Sequence, residues 1–472
     1  MNNREEGREE VRRLIHSFQV NVAGYRRPGS LYYETSLRTD FLDPLLCALG
    51  WDVNNYKELP QDLREVVQET TIEVSENESS KKPDYAFRVG RQFRFFLEAK
   101  KPSVRVGEEK ASAFQARRYG FSASHPICVL SNFDCTIIYR TIEPPDMDDD
   151  PRSGIIAKYS FKELITCFDD LYDSISREAL YNGHFEKIFA ADEQRLLYQQ
   201  FDAYFLKQIE LWRMVLASDI SQRNMKIGAN ELNYFVQRIL NRIIFLRICE
   251  DRNLERYESL KKLSMGGTYE DLKSLFRKAE KRYNSGLFNL IEDPTLNIQV
   301  GNEALIKVLV DLYYPKSPYT FAVVGANVLG AIYEQFISKR IEIGSKRTVD
   351  LKEKPEVREG GGVFLTPRYV VEAIVQRTLD PLVAGKTAHD VAKLRIADIC
   401  CGSGTFLLGV FEYLQSWYLD WYLKDGSEKH SDRIYEVGGG NWRLMLQEKR
   451  RILLTNIFGV DIDEQAVEVT QF

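Results

Sequence analysis

Two acids and a lysine sit at a spacing that could do chemistry together. Pro83-Asp84-Tyr85-Ala86-Phe87-Arg88-Val89 reads as one strand of a hairpin, and Gln92-Phe93-Arg94-Phe95-Phe96-Leu97-Glu98-Ala99-Lys100-Lys101-Pro102 as the other. Alternation along a strand puts Glu98 and Lys100 on one face. A tight turn near Gly90 and Arg91 brings Asp84 opposite Leu97 or Glu98. Two carboxylates and an ammonium then converge at one end of the hairpin. Carboxylate oxygens suit Mg²⁺. Such an ion lowers the pKa of a bound water and steadies charge on a phosphodiester, and a neighbouring lysine can orient the hydroxide or stabilise the anion that forms. Glu-x-Lys alone is common, and its plainer reading is an ion pair on an exposed strand.

A second stretch, Arg395-Ile396-Ala397-Asp398-Ile399-Cys400-Cys401-Gly402-Ser403-Gly404-Thr405-Phe406-Leu407, reads as a short strand, a tight turn and a helix. Gly402 and Gly404 let the backbone turn sharply and let a ligand come close. The helix start offers backbone N–H groups to an anion or carboxylate. Ile457-Phe458-Gly459-Val460-Asp461-Ile462-Asp463 reads as a second strand ending in acid, where ribose hydroxyls are commonly held. No third glycine stands at dinucleotide spacing, and the acid lies much further from the loop than in a dinucleotide fold. The intervening residues are expected to form a helical pair, Phe411–Lys424 and Trp442–Asn456.

The elements that must position these groups follow from periodicity. Residues 3–20 predict an amphipathic helix with Val11, Leu14, Ile15 and Phe18 on one face. A second helix is expected over Glu34–Leu49, stopped by Gly50. Glu34 and Arg38, four apart, share a face of it and read most simply as an intrahelical ion pair. Gln115 and Tyr119 share a face of a later helix, and two strands follow near Val129 and Ile137. Glu143-Pro144-Pro145-Asp146-Met147-Asp148-Asp149-Asp150-Pro151 reads as a linker or exposed loop, with a domain boundary near residue 150. Residues 155–345 read as mostly helical, with segments Leu196–Ala217, Ala229–Asp251, Tyr269–Ser285 and Phe321–Ile341. Arg238, Arg242, Arg247 and Arg252 read as a solvated helical face, or less simply as phosphate contacts. Lys339–Gly361 is expected to be a loop.

These motifs carry two resemblances. The P-D…E-x-K pattern, with Glu34 on the preceding helix and Gln115-Ala-Arg-Arg-Tyr119 after it, resembles the PD-(D/E)xK nuclease superfamily over roughly residues 30–140. That resemblance implies that Asp84, Glu98 and Glu34 bind metal, that Lys100 positions the water, and that Gln115 joins the catalytic set. Gly360-Gly-Gly-Val-Phe-Leu-Thr366-Pro367, then Asp398 to Leu407, then Asn456 to Val467 resemble, in that order, gamma-class N6-adenine DNA methyltransferases. The likeness is greatest to those fused to nucleases in Type IIG restriction–modification enzymes. It implies that Thr366 and Pro367 cap the methionine end of S-adenosylmethionine. Asp398, Cys400, Gly402 and Gly404 would line the methionine loop, and Asp461 would hold the ribose. Ile399 stands where that family usually has proline. The family's Asn-Pro-Pro-Tyr motif, expected after Asp461, does not occur in the 472 residues. The expectation is a chain truncated before its methyl-transfer motif and target-recognition region.

The resulting fold expectation is an α/β multi-domain chain. Residues 1–150 would be the nuclease core, 151–345 a helical connector, and 346–472 the start of a Rossmann-like, S-adenosylmethionine-dependent methyltransferase domain. Expected cofactors are S-adenosylmethionine and Mg²⁺. Expected partners are double-stranded DNA and, for cleavage, a second copy of the protein, with adenine flipped out for methylation. The rival expectations are a non-cutting defence methyltransferase, a cofactor-sensing DNA-binding protein with an inactive nuclease fold, and a methyltransferase acting on something other than DNA.

Composition sets the outer limits. With 44% hydrophobic and 28% charged residues, the chain has ample material for globular cores. No apolar run is long enough for a membrane helix, and the charged first residues carry no signal core. Seven scattered cysteines without a C-x-x-C pair suggest reduced thiols and a cytoplasmic setting. The net charge of −5 does not mark a polyanion binder, but residues 81–120 hold eleven Lys or Arg against four acids. Whether that stretch meets nucleic acid or only solvent is open from charge alone. The five histidines are scattered singly and read as surface or core residues.

Overall fold

The computed structural model describes residues 4–59, 63–68, 82–89, 92–189, 191–252, 254–256, 258–283, 286–291, 293–314, 316–324, 338–354, 366, 368–438, 441–462, 466–467 and 470. It divides into two compact units: residues 1–201 with 314–323, and 202–313 with 324–472. Each is α/β.

The first unit is built on a six-stranded mixed sheet in the order β1 to β6. The strands are β1 (Val66–Gln68), β2 (Tyr85–Val89), β3 (Gln92–Ala99), β4 (Ile127–Ser131), β5 (Cys135–Arg140) and β6 (Ile155–Ser160). Only β3 and β4 pair in parallel, and α4 (Lys110–Ser122) connects them. A parallel pair requires such a crossover. Alternating side chains feed a core on each face. Phe87, Phe95, Leu97, Val129 and Ile138 pack under α1 (Arg4–Tyr25) and the helical run after Tyr33, together with Val11, Leu14, Phe18, Phe41 and Leu45. Phe96, Leu130, Ile137 and Tyr139 pack under α4 with Ala113, Ala116 and Tyr119. Phe87 and Phe95 stack with ring centroids 4.4 Å apart. At Gly7 α1 comes close to its neighbour: a Cβ there would clash with the Ala48 carbonyl oxygen.

The run expected as one helix over Glu34–Leu49 has three parts. They are α2 (Glu34–Leu37), a π-helical segment Arg38–Leu42, and α3 (Asp43–Ala48), closed by Gly50 at φ +86°. The sheet continues past residue 150, because β6 pairs with β5. The acidic stretch 143–151 is therefore a loop within one sheet. It is pinned by Arg117 to Asp149 (2.6 Å) and by the Tyr139 hydroxyl to the Pro151 carbonyl (2.8 Å). After β6 come α5 (Phe168–Ile175), α6 (Arg177–Tyr181) and α7 (His184–Phe189). Residues 314–323 return to this unit and lie along α4. Ser122 accepts from the Thr320 N–H (2.8 Å), Arg118 donates to the Tyr319 carbonyl, and Phe114 faces Tyr314 with centroids 5.6 Å apart.

The second unit contains the later part of α8 (Ala191–Arg223), then α9 (Ala229–Asp251), α10 (Ser259–Leu263), α11 (Tyr269–Tyr283) and α12 (Asn302–Asp311). Arg242 and Arg247 of α9 are fully buried. Arg242 donates to the Leu287 carbonyl (2.8 Å) and Thr295 Oγ1 (3.0 Å) and pairs with Asp293. Arg247 pairs with Asp251 (2.5 Å) and lies over the Tyr313 ring. They are neither a solvated face nor free for phosphate. Residues 339–353, expected as helix end and loop, form a hairpin of β7 (Lys339–Ile343) and β8 (Val349–Glu353). Residues 325–337, the rest of the expected helix, lie outside the described residues.

The C-terminal part begins with α13 (Arg368–Val383) and α14 (Ala388–Val391). Strands β9 (Ile396–Asp398) and β12 (Ile457–Gly459) pair in parallel. Between them run α15 (Thr405–Asp425), a hairpin of β10 (Ile434–Gly438) and β11 (Asn441–Leu444), and α16 (Leu446–Asn456). Trp442 is thus in a strand and not in the second expected helix. Among the described residues no helix is long and apolar enough to cross a membrane, and all seven cysteines are free.

Candidate functional site

The first site lies at the end of the β2–β3 hairpin. The register pairs Tyr85 with Leu97, so Asp84, one step earlier, falls opposite Glu98. Both residues are buried, at 8% and 3% exposure. Asp84 Oδ2 accepts from the Ala99 N–H at 2.8 Å, and Oδ1 accepts from Arg38 Nη1 at 3.0 Å. Glu98 Oε1 accepts from Lys100 Nζ (2.5 Å) and from Gln115 Nε2 (2.6 Å). Its second oxygen, Oε2, is buried without a partner. Gln115 also donates to the Tyr119 hydroxyl (3.2 Å), which in turn donates to the Lys82 carbonyl (3.2 Å). Glu34 is half-buried at the start of α2.

The charges couple through a desolvated space. Burial, then the Asp84 charge, pushes the Glu98 carboxyl up to about 8 against the pull of Lys100. Burial also raises Asp84, against the Ala99 N–H and Arg38. It raises Glu34 too, with Asp84 adding to the effect. Burial works against the Lys100 ammonium, but Glu98 outweighs it and holds the lysine above its usual range.

The structure brings together Asp84, Glu98, Lys100 and Gln115. Glu34, the third acid expected at the metal site, feels the charges of Asp84 and Lys100 from the start of α2. Among the described residues no three His, Cys, Asp or Glu side chains stand close enough to hold a metal ion. Each buried carboxylate meets a cation of the protein itself through one oxygen, Asp84 with Arg38 and Glu98 with Lys100. The Glu34–Arg38 pairing expected along the helix gives way to Arg38–Asp84. The helix period alone does not reveal this, because Arg38 opens the π-helical turn and the hairpin end lies within its reach.

The second site is the loop after β9. Gly402 and Gly404 have φ of +52° and +82°, a region that favours glycine. A Cβ on Gly404 would meet Thr470 Cγ2 at 2.7 Å. The Gly402 N–H donates to Asp461 Oδ2 (2.8 Å), and Cys400 N–H donates to Asp398 Oδ1 (3.1 Å). Thr470 donates to the Gly402 carbonyl at 2.7 Å. Val460 N–H to Asp398 O (2.9 Å) and Cys401 N–H to Val460 O (3.0 Å) continue the strand pairing into the loop. The loop delivers the chain into α15, whose first backbone N–H groups face its mouth. Asp398, Cys400, Gly402, Gly404 and Asp461 therefore gather at one strand end. Thr366 is exposed, and Pro367 lies outside the described residues. The Thr470 tie has no motif to announce it.

Residues 325–471 match the family model for N-6 DNA Methylase. Over 467 residues, or 98% of the chain, the protein is 36% identical to the Type II restriction enzyme and methyltransferase RM.Eco57I of Escherichia coli, of which it covers 46%. The putative Type II restriction enzyme and methyltransferase RM.MjaORFECS2P of Methanocaldococcus jannaschii is 24% identical over 313 residues, 50% of this chain and 24% of its own length. The chain thus spans less than half the length of these curated relatives. A cryo-EM structure of a DrdV–DNA complex aligns with 97% of the chain and 37% of its own at 14% identity and a TM-score of 0.29, too low to carry an argument. Nearly the whole chain is thus similar to part of a protein described as a Type II restriction enzyme and methyltransferase, in keeping with the resemblance read from its motifs.

Proposed function

We propose that the first unit is a Mg²⁺-dependent DNA endonuclease with a PD-(D/E)xK core, and that residues 346–472 belong to an S-adenosylmethionine-dependent adenine-N6 DNA methyltransferase domain. The protein would then be a bifunctional restriction–modification enzyme acting on double-stranded DNA in the cytoplasm, with a helical middle region and self-association for cleavage. The observation that carries the nuclease reading is the Glu98 carboxyl. One oxygen is fixed by Lys100 and Gln115, and the other is buried with no partner. A buried polar atom left unpaired in this way is costly unless a ligand satisfies it.

Mg²⁺ would be held by Glu98 Oε2 and an oxygen of Asp84, with Glu34 beside them. When bound, the ion would lower the pKa of a water and offset charge on the scissile phosphate. Gln115 fixes the rotamer of Glu98 from α4. The Ala99 N–H fixes Asp84 against β3. Lys100, hydrogen-bonded to Glu98, would orient the attacking water and meet negative charge developing on phosphate. In the second unit, the Gly402–Gly404 turn would accept the methionine end of the cofactor, and Asp461 would exchange the Gly402 N–H for ribose hydroxyls.

Cleavage of plasmid DNA tests the first assignment. DNA incubated with this chain and Mg²⁺ is expected to be cut, and Asp84→Ala and Lys100→Ala are expected to abolish cutting while both variants stay folded. Cutting that survives both changes would overturn the nuclease assignment. For the second site, equilibrium dialysis with labelled S-adenosylmethionine should show binding that Asp461→Ala weakens at least tenfold.

A further inference from the structure

We propose that Arg38 gates the acidic site: it holds the Asp84 oxygen that a divalent cation needs and gives it up when the cation binds. The inference rests on the nuclease reading and assigns a residue that the reading leaves unused. The two carboxylates are not equally ready. Glu98 presents a buried oxygen with no partner. Both oxygens of Asp84 are taken, Oδ2 by the Ala99 N–H and Oδ1 by Arg38. The Ala99 contact is main chain and belongs to the hairpin. The Arg38 contact is a side chain and can swing.

Arg38 is also built to stay poised. Its second nitrogen donates to the Asp84 carbonyl at 3.3 Å, and its guanidinium lies over the Tyr85 ring, 4.7 Å from the centroid. Only 12% of the Arg38 side chain and 11% of the Asp84 side chain are exposed. Ring and carbonyl hold the guanidinium beside the site even when Oδ1 is released. Arg38 stands where the helical run leaves α-geometry: it opens the π-helical segment, and its carbonyl accepts from the Asp43 N–H. Such single wide turns inside helices recur at functional positions. Arg38 is thus a positioning residue acting through Asp84.

A purely structural arginine and a gate predict opposite signs. If Arg38 only anchors Asp84, its removal leaves the carboxylate adrift and weakens cation binding. If it competes for Oδ1, removal strengthens binding. Mn²⁺ is titrated into the full chain without DNA, and free Mn²⁺ is followed by its electron paramagnetic resonance signal. Arg38→Gln is expected to bind five- to tenfold tighter than wild type. Arg38→Lys, which loses the fork to the Asp84 carbonyl, is expected to bind two- to threefold tighter, and it serves alone should the glutamine variant not fold. Asp84→Asn should erase the gain when combined with either change. Equal or weaker binding in the arginine variants, with Asp84→Asn still weakening the wild type, would refute the gate and leave the nuclease reading intact. Wild-type Mn²⁺ binding that ignores Asp84→Asn would overturn both.

Discussion

Replacing Glu98 by glutamine should change how the stability of the first unit depends on pH. The Glu98 carboxyl titrates at about 8 in the folded protein because it is buried next to Asp84, against an ordinary value of 4.5. Its folded pKa is raised, so between those values the native state holds about one proton more at this position than the unfolded chain does. The contribution is fully present below 4.5 and is lost as pH climbs toward 8, at about 1.4 kcal/mol per pH unit. From about pH 5.5 to about 7.5 the wild type loses about 2.5 kcal/mol through this residue that Glu98→Gln does not lose. For a unit of roughly 200 residues that corresponds to roughly 5–10 °C in midpoint. Glu34, Asp84, Lys100, Tyr119 and Cys128 face Glu98 in both proteins, so the comparison reads their coupling to Glu98 together with its own titration. The assay is thermal unfolding of both proteins, followed by near-ultraviolet circular dichroism at three pH values across that range. The glutamine variant should gain on the wild type at each step. Adding Mg²⁺, which favours the ionised carboxylate, should close the gap. Midpoints that move in parallel across the range would refute the claim that Glu98 is desolvated and ionises late.

Three further outcomes are expected from the geometry. His125 is buried edge-on to Phe96 at 4.7 Å, and burial, with Arg94, pushes its pKa down to about 3. Its folded pKa lies below its unfolded one, so its contribution is complete above pH 6.5 and falls by about 1.4 kcal/mol per unit below it. His125→Phe should flatten the acid side of the stability profile, and an unchanged acid limb would count against a neutral, buried imidazole. Arg242→Ala should cost about 3 kcal/mol in the second unit, because buried Asp293 loses its closest cation and keeps only Arg238, 3.8 Å away, and the Thr295 N–H. The salt dependence of DNA binding should be untouched, and a reduced salt slope would restore a phosphate-contacting role. Gly404→Val should cut S-adenosylmethionine binding at least tenfold, since the positive φ and the Thr470 contact leave no room for a side chain. Binding within twofold of wild type would remove that loop from the cofactor site.

The chemistry of the hairpin is legible in the sequence because strand alternation is a strict rule. Spacing alone sets Asp84, Glu98 and Lys100 on one end of two strands, and Gln115 follows from a helix of ordinary period. The partner of Asp84 is not legible. Helical spacing offers Arg38 to Glu34, and only the tertiary placement of the hairpin end decides that Asp84 takes it. The arginines of α9 are hidden for a related reason. Arginine on a helix reads as solvent-facing until loops such as Leu287–Thr295 are known to cover it. The β7–β8 hairpin escapes because its charged alternation around the fully buried Ile341 looks like a polar loop. Strand β6 escapes because a proline- and aspartate-rich stretch reads as the end of a domain, although it can equally be a loop between neighbouring strands. Asp398, Gly402, Gly404 and Asp461 are readable as a strand-end cluster. Thr470, which ties the same loop from further along the chain than Asp461, carries no such signature.

Because residues 314–323 return to the first unit, that unit closes late during synthesis. The ribosome delivers all six strands by residue 160, yet the segment that covers Phe114, Arg118 and Ser122 of α4 emerges only after α8 to α12 have been made. At roughly 5–20 residues per second, that interval is on the order of ten seconds. During it, the helix that carries Gln115 has one flank uncovered. The residues that fix Glu98 are therefore set in their final surroundings only once the chain has passed Val323. A protein ending at residue 201 would hold that unfinished state permanently, with an apolar and hydrogen-bonding strip of α4 open to water. Cutting the first unit out of the gene at that point removes part of its own wall.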